Sequence, residues 1–202
     1  MMKSVKPRVI AFDVFGTLLH IQDRKTPYKK LLQWLSEHGR LAQNDDTAVI
    51  MSNPLAFQEI IQLFDMQIPP QVVEQLQLDL DLELKSICLY DDTLMTIEKL
   101  KAQGFKLAVC SNLATPYGEV ATTLLPFFDA YAWSYEVGAI KPDPKIYQYI
   151  VDQLACQAED VLFIGDTPLA DVQGPTAFGM SARLIDRRRG QQFSDVLHDL
   201  LD

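Results

Sequence analysis

Cysteine and histidine are scarce in this chain, with three of each in 202 residues. Cys88, Cys110 and Cys156 lie far apart and make no CxxC pair, and His20, His38 and His198 lack the spacing of a metal site. Cys110 sits in an apolar run, where a small buried thiol is expected, and this cysteine usage fits a reducing, cytoplasmic setting. Basic residues are outnumbered: 18 Lys and Arg against 27 Asp and Glu give a net charge of -9, which recommends neither nucleic acid nor an anionic membrane as a partner. An anionic substrate would need local cations or a metal ion to be attracted. Arg187, Arg188 and Arg189 form a small basic run that reads as a solvated loop before the last helix. No segment approaches membrane-spanning length, and residues 1–8 carry charges without an apolar stretch of signal length. Internal repeats and low-complexity segments are absent too.

What is present is an ordinary globular composition, 48% hydrophobic and 22% charged, long enough for one full domain or for a core with a small insert. The apolar run Val9–Phe12, ending at Asp13, reads as a buried strand. Residues 106–110 and 161–164 repeat that pattern, with weaker candidates at 129–134 and 181–185. Helical stretches separate them, at about 92–103, 116–125, 144–154 and 168–178. Strand and helix alternate, which predicts a doubly wound, Rossmann-like α/β core: a parallel sheet with helices on both faces. Five helix starts share a capping residue followed by proline: Thr26-Pro27, Asn53-Pro54, Thr115-Pro116, Asp143-Pro144 and Thr167-Pro168. The side-chain oxygen accepts from a first-turn N–H, and proline is tolerated where its missing donor is not needed. Gly39, Gly104 and Gly179 stand where helices should stop.

Residues 20–90 hold no clear buried strand and are too long for a simple crossover. An inserted helical subdomain is the natural reading, with residues 1–19 and 91–202 forming the core and 20–90 a helical cap. Within it Leu76, Leu78, Leu80, Leu82 and Leu84 alternate with polar residues, as in a strand. On a helix, Leu76, Leu80, Leu84 and Ile87 share one face while Leu78 and Leu82 fall on the other. A two-sided helix is the favoured reading, wedged between insert and core or buried in a homodimer contact.

Polar residues cluster at the ends of the predicted strands: Asp13 after the first, Ser111 and Asn112 after the second, Asp166 after the fourth. In an open parallel sheet, ligands bind beyond the carboxyl ends of the strands, so residues distant in sequence converge there. One such residue alone is usually a turn or cap; several at successive strand ends, with Lys141 before the last, point to chemistry. The residues themselves then carry a comparison. The run Asp13-Val14-Phe15-Gly16-Thr17-Leu18 resembles the first motif of the haloacid dehalogenase superfamily, DxDGTL, with the second Asp altered. Ser111-Asn112 resembles its second motif, Lys141 its third, and Gly165-Asp166-Thr167-Pro168-Leu169-Ala170-Asp171 its fourth, GDxxxxD. The order and spacing agree over nearly the whole chain.

That resemblance implies a nucleophilic Asp13 that attacks phosphorus or carbon and splits one hard step into two. It implies Mg²⁺ held by Asp13, the backbone carbonyl of Phe15 and Asp166, with Asp171 a direct or an indirect ligand. Ser111 and Asn112 would bind substrate, and Lys141 would neutralise both nucleophile and transferring group. The substrate would be a small molecule, a phosphate ester.

Phe15 is the departure. In the superfamily's phosphatases the Asp here protonates the leaving group and activates water, help worth about 10²–10⁴-fold. An aromatic residue here is a feature of the superfamily's metal-independent 2-haloacid dehalogenases, whose halide needs no proton. Those enzymes, however, carry a Ser/Asn-rich fourth motif and use a cap arginine to hold the substrate carboxylate. Arg24 and Arg40 are the arginines of the insert, and each reads as a solvated loop residue. The leading expectation is a Mg²⁺-dependent phosphatase of reduced activity; a 2-haloacid dehalogenase and a weak or inactive ligand-binding member stay open. Trp34 and Trp133 read as packing, His38 as a partner of a helix C-terminus, and Tyr135 as packing or a site wall.

Overall fold

The computed structural model describes residues 7–201. The reading made of the charged N-terminus therefore falls, for residues 1–6, outside the described residues.

The chain enters through β1 (Val9–Phe12), whose four residues are all buried. After a tight loop, β2 (Leu19–Ile21) leads into four helices: α1 (Pro27–Glu37), α2 (Asp46–Met51), α3 (Phe57–Leu63) and α4 (Pro70–Lys85). β3 (Ile87–Leu89) returns antiparallel to β2, pairing Leu19 with Leu89 and Ile21 with Ile87. Then follow α5 (Thr93–Ala102), β4 (Lys106–Ser111), α6 (Thr115–Leu124), β5 (Ala130–Trp133), α7 (Ser134–Val137) and α8 (Pro144–Leu154). The last part holds β6 (Val161–Gly165), a π-helical stretch Pro168–Gln173, α9 (Gly174–Phe178), β7 (Ser181–Leu184), α10 (Phe193–Val196) and α11 (His198–Leu201).

Five strands form one parallel sheet in the order β5-β4-β1-β6-β7. The core lies in two clusters, one on each face. One gathers Ile10, Phe12 and Val109 with Ile97, Leu100 and Phe193; the other gathers Ala11, Cys110 and Phe163 with Ile146, Tyr147 and Ile150. Alternate residues of β1 thus feed opposite faces, as the pleat requires. This is the expected doubly wound α/β fold, with all five strands where the apolar runs put them.

Three expectations about local structure fail. Residues 20–90 do carry strand, because β2 and β3 close an antiparallel ribbon at the two ends of the helical stretch. Residues 168–178 are not one α-helix: Pro175 cannot donate to the carbonyl of residue 171, and the turns ahead of it are wider, π-helical ones. The shared capping signature holds only at Asp143, which accepts from the Lys145 N–H at 2.9 Å. Thr26 precedes α1 in a left-handed conformation (φ 54°), and neither it nor Thr167 makes a side-chain cap bond. Asn53 starts no helix; its Nδ2 donates back to the Val49 carbonyl at 2.7 Å. Gly39, Gly104 and Gly179 end their helices at positive φ, as expected.

The helices between β2 and β3 have their own apolar cluster, built on Leu31, Leu35, Phe57, Ile60 and Leu80. The alternating leucines lie on helix α4, with Leu76 and Leu80 buried and Leu78 and Leu82 about half exposed, at 50% and 49%. Among the described residues no helix is long and apolar enough to cross a membrane.

Candidate active site

β4, β1 and β6 are neighbours, so the residues that follow them meet at one sheet edge. Asp13 leaves β1, Ser111 ends β4 and Asp166 follows β6. Ser111 Oγ donates to Asp13 Oδ1 at 3.0 Å, across 98 positions of sequence. Lys141 Nζ donates to the same Asp13 Oδ1 at 2.7 Å and to Asp171 Oδ1 at 2.6 Å. Among the described residues no hydrogen bond falls on Asp13 Oδ2, which leaves one carboxylate oxygen uncommitted.

Lys141 is held by Asn112: the Asn112 Nδ2 donates to the Lys141 carbonyl at 2.9 Å, and the Lys141 N–H donates to Asn112 Oδ1 at 2.7 Å. The Nδ2 and Oδ1 of Asn112 thus each make one bond to the backbone of Lys141. Burial works against the Lys141 charge, but the carboxylates of Asp13 and Asp171 outweigh it and keep the amine protonated. The Asp171 N-terminal neighbour shares in the same network, since the Thr167 N–H donates to Asp171 Oδ2 at 2.8 Å.

Carboxylate oxygens of Asp13, Asp166 and Asp171 lie within 4.8 Å of one another. One ammonium faces three acids, so the cluster carries an excess of negative charge. Burial first, and Asp13 second, push the Asp171 carboxyl up from 3.8 to about 6, and the same two causes raise Asp166. Such a set of hard oxygens, under strain from its own repulsion, fits a divalent cation such as Mg²⁺. Two glycines make room for it. A Cβ on Gly16 (φ 87°) would collide with the Asp166 carboxylate, and one on Gly165 with that of Asp171.

On the other side of Asp13 the surroundings change. The Phe15 ring meets the Tyr117 ring edge to face, with centroids 5.9 Å apart. Beyond it lies a cavity of about 360 Å³ between the helices that follow β2 and the loop that follows β4, with Phe15 and Asn112 in its wall. Arg24, exposed, also belongs to that wall. Arg40 does not; it forms a two-toothed ion pair with Asp46 (2.8 and 2.6 Å) and covers the Phe64 ring, which overturns its reading as a solvated residue. Tyr135 is core, its ring packed where Gly118 leaves space. Trp133 is buried, Trp34 stacks on His38, and the His38 ring bonds the Trp34 carbonyl at the end of α1. Cys110 is the inert thiol expected, pushed up to about 12 by burial.

One residue of this region, Glu83, carried no signal in the sequence, and another, Arg187, is not the solvated residue expected. Glu83, buried on α4, accepts from the N–H groups of Lys25 and Thr26 (2.6 Å each) and from the Tyr117 hydroxyl (3.0 Å). Arg187, expected in solvent, is sunk between the rings of Tyr90 and Phe193; it donates to the Thr17 carbonyl (2.8 and 3.1 Å) and to Asp92 (2.9 Å). It thereby pins the loop that carries Phe15 and Gly16. Neither has a clear local signal, because Glu83 and Arg187 meet their partners, Tyr117 for the one and Thr17, Tyr90 and Asp92 for the other, across the fold.

Known proteins agree with this picture. Residues 7–179 match the model of the haloacid dehalogenase-like hydrolases. A glyceraldehyde 3-phosphate phosphatase of Methanopyrus kandleri is 33% identical over 105 residues, 50% of this chain and 45% of that protein. An (S)-2-haloacid dehalogenase 4A of Burkholderia cepacia is 30% identical over 107 residues, 52% of this chain and 46% of that protein. The chain thus spans about half the length of the curated relatives it matches. Among solved structures, a HAD phosphatase from Thermococcus onnurineus is 25% identical, with a TM-score of 0.60 over 94% of this chain and 90% of that one. The sheet order, the four motifs and the family match converge: this chain belongs to the haloacid dehalogenase-like hydrolases.

Proposed function

We propose that the chain is a Mg²⁺-dependent, cytoplasmic phosphatase acting through an aspartyl intermediate on a small phosphate ester, with its proton chemistry weakened at Phe15. The observation that carries this reading is the cluster of three carboxylates around a single ammonium, which calls for a cation that a metal-independent dehalogenase does not need. Asp13, Asp166 and the Phe15 carbonyl would hold the metal, with Asp171 beside them. When bound, the ion screens the negative charge gathered at the site.

Asp13 Oδ2 attacks phosphorus while Lys141 and Ser111 fix and neutralise the other oxygen. The P–O bond to the leaving group breaks, and its electron pair departs on that oxygen. Water then opens the aspartyl phosphate, releasing inorganic phosphate and restoring Asp13. Phe15 can neither protonate the leaving oxygen nor deprotonate the water, so both steps lack a resident acid–base group. We assign residues 20–90 as the cap over this site, with the β2–β3 ribbon as its two-stranded stem.

A 2-haloacid dehalogenase is the second reading, favoured by Phe15 and by Arg24 in the cavity wall. The test compares the wild type with Phe15→Asp on benzyl phosphate, with Mg²⁺ or with EDTA. Slow turnover that EDTA abolishes, raised by about 10²-fold or more in Phe15→Asp, is the expected result. Chloride release from 2-chloropropionate in EDTA would establish the dehalogenase instead. Fast wild-type hydrolysis with no gain in the variant would remove the argument from the missing acid.

A further inference from the structure

The cavity and Phe15 together constrain the substrate, granted the phosphatase reading above. The wall is built mainly from Leu32, Ile50, Met51 and Leu113 with the rings of Phe15 and Tyr28. Its polar atoms are largely spent: Glu83 already holds two N–H groups and the Tyr117 hydroxyl, and the Asn112 amide holds the Lys141 backbone. Arg24 and Lys29 touch the cavity but are exposed and solvated. Among the described residues the Tyr28 hydroxyl is buried without a hydrogen-bond partner, and the Thr26 and Thr47 side chains of the wall are exposed. A polyhydroxylated sugar or triose phosphate would leave several hydroxyls unpaired against this wall, whereas an apolar ring would fill it.

Phe15 adds an independent constraint. With no resident acid, the leaving oxygen departs as an anion, which favours a leaving group stable in that form. A phenol, with an ordinary pKa of about 10, is far better suited than an alkyl alcohol. The geometry points to an aryl phosphate monoester as the substrate: the ring occupies the cavity beside Phe15, and the phenolate leaves without protonation.

Two measurements on the full chain with Mg²⁺ test the two constraints. For the cavity, calorimetric titration compares phenylphosphonate with 2,3-dihydroxypropylphosphonate, probes that share a head group and cannot turn over. Phenylphosphonate should bind about tenfold tighter or more, and Leu32→Asp should shrink that ratio. Equal binding, binding of neither, or preference for the diol overturns the assignment. For the leaving group, kcat/KM is compared for phenyl and benzyl phosphate. Phenyl phosphate should be faster by about tenfold or more, and Phe15→Asp should raise the benzyl value more than the phenyl one. Equal gains overturn the leaving-group argument. A binding preference with no hydrolysis of either ester keeps the cavity assignment and sinks the phosphatase reading and the aryl phosphate with it; hydrolysis without a preference does the reverse, leaving a phosphatase of another substrate class.

Discussion

Asp13 stands between two environments that share a loop and little else. On one side, Asp166, Asp171 and Lys141 form a dense ionic cluster that is buried or half-buried and tied to strand ends. On the other, Phe15 opens onto an apolar cavity whose few charges are hydrogen-bonded within the protein or exposed. On the proposed phosphatase reading, the ionic side would hold a transferring group and its metal. The apolar side would select what that group is attached to, and Phe15 offers no proton there. The proposed reaction and recognition would thus be separated within a few residues of each other, so substitutions on the two sides should fail in different ways.

The largest effect belongs to the shared residue. Asp13→Asn should lower phosphatase turnover by roughly 10⁴-fold or more, read in a steady-state assay, while the cavity still binds phenylphosphonate. Retained turnover would show that attack comes from elsewhere. On the ionic side, Lys141→Met should cost about 3–5 kcal/mol in urea unfolding at pH 7, because it strands buried carboxylates without their cation. Part of that loss should return at pH 5, where Asp171 takes up a proton.

A smaller effect follows from Asp171 itself. Its folded-state pKa of about 6 lies above the ordinary 3.8, so the folded protein binds more protons in that window and its stability falls as pH rises from about 4 to about 6. A cation competes with that proton. Mg²⁺ affinity, followed by calorimetry, should climb up to about tenfold per pH unit below 6 and flatten above; a flat profile would mean that Asp171 does not share in the ion. On the apolar side, Tyr117→Phe removes one bond to Glu83 and should cost about 1–2 kcal/mol, the smallest of these changes. If it costs as much as Lys141→Met, the contrast between the two sides does not hold.

How much of this was legible beforehand follows the range of each signal. The central strands β4, β1 and β6 are short, buried apolar runs, and such a run is a local property; β5 and the partly exposed β7 gave weaker signals. The site was legible because its residues sit at strand ends, where topology rather than contact brings them together; Asp13, Ser111, Lys141 and Asp171 meet as expected. The β2–β3 ribbon was not legible, since three residues per strand give no periodicity. The π-helical turns depend on a proline seen only as part of an α-helical pattern. Glu83 looked like one acid among several on a leucine-rich helix, and Arg187 like one charge of three. In both cases burial is decided by partners 34 to 170 positions away, or by aromatic rings that fold in from other elements.

Arg187 carries a consequence for where the working unit ends. The stretch matched to the family closes at residue 179, just after the fourth motif. Yet the clamp on the Thr17 carbonyl comes from residue 187, and Phe193, which shelters it, packs edge to face on Phe12 of the first strand. The tail beyond the family match is therefore a strap that returns to the first strand and fastens the loop that follows Asp13. A version trimmed to the matched residues would keep every motif and lose the fastening between them.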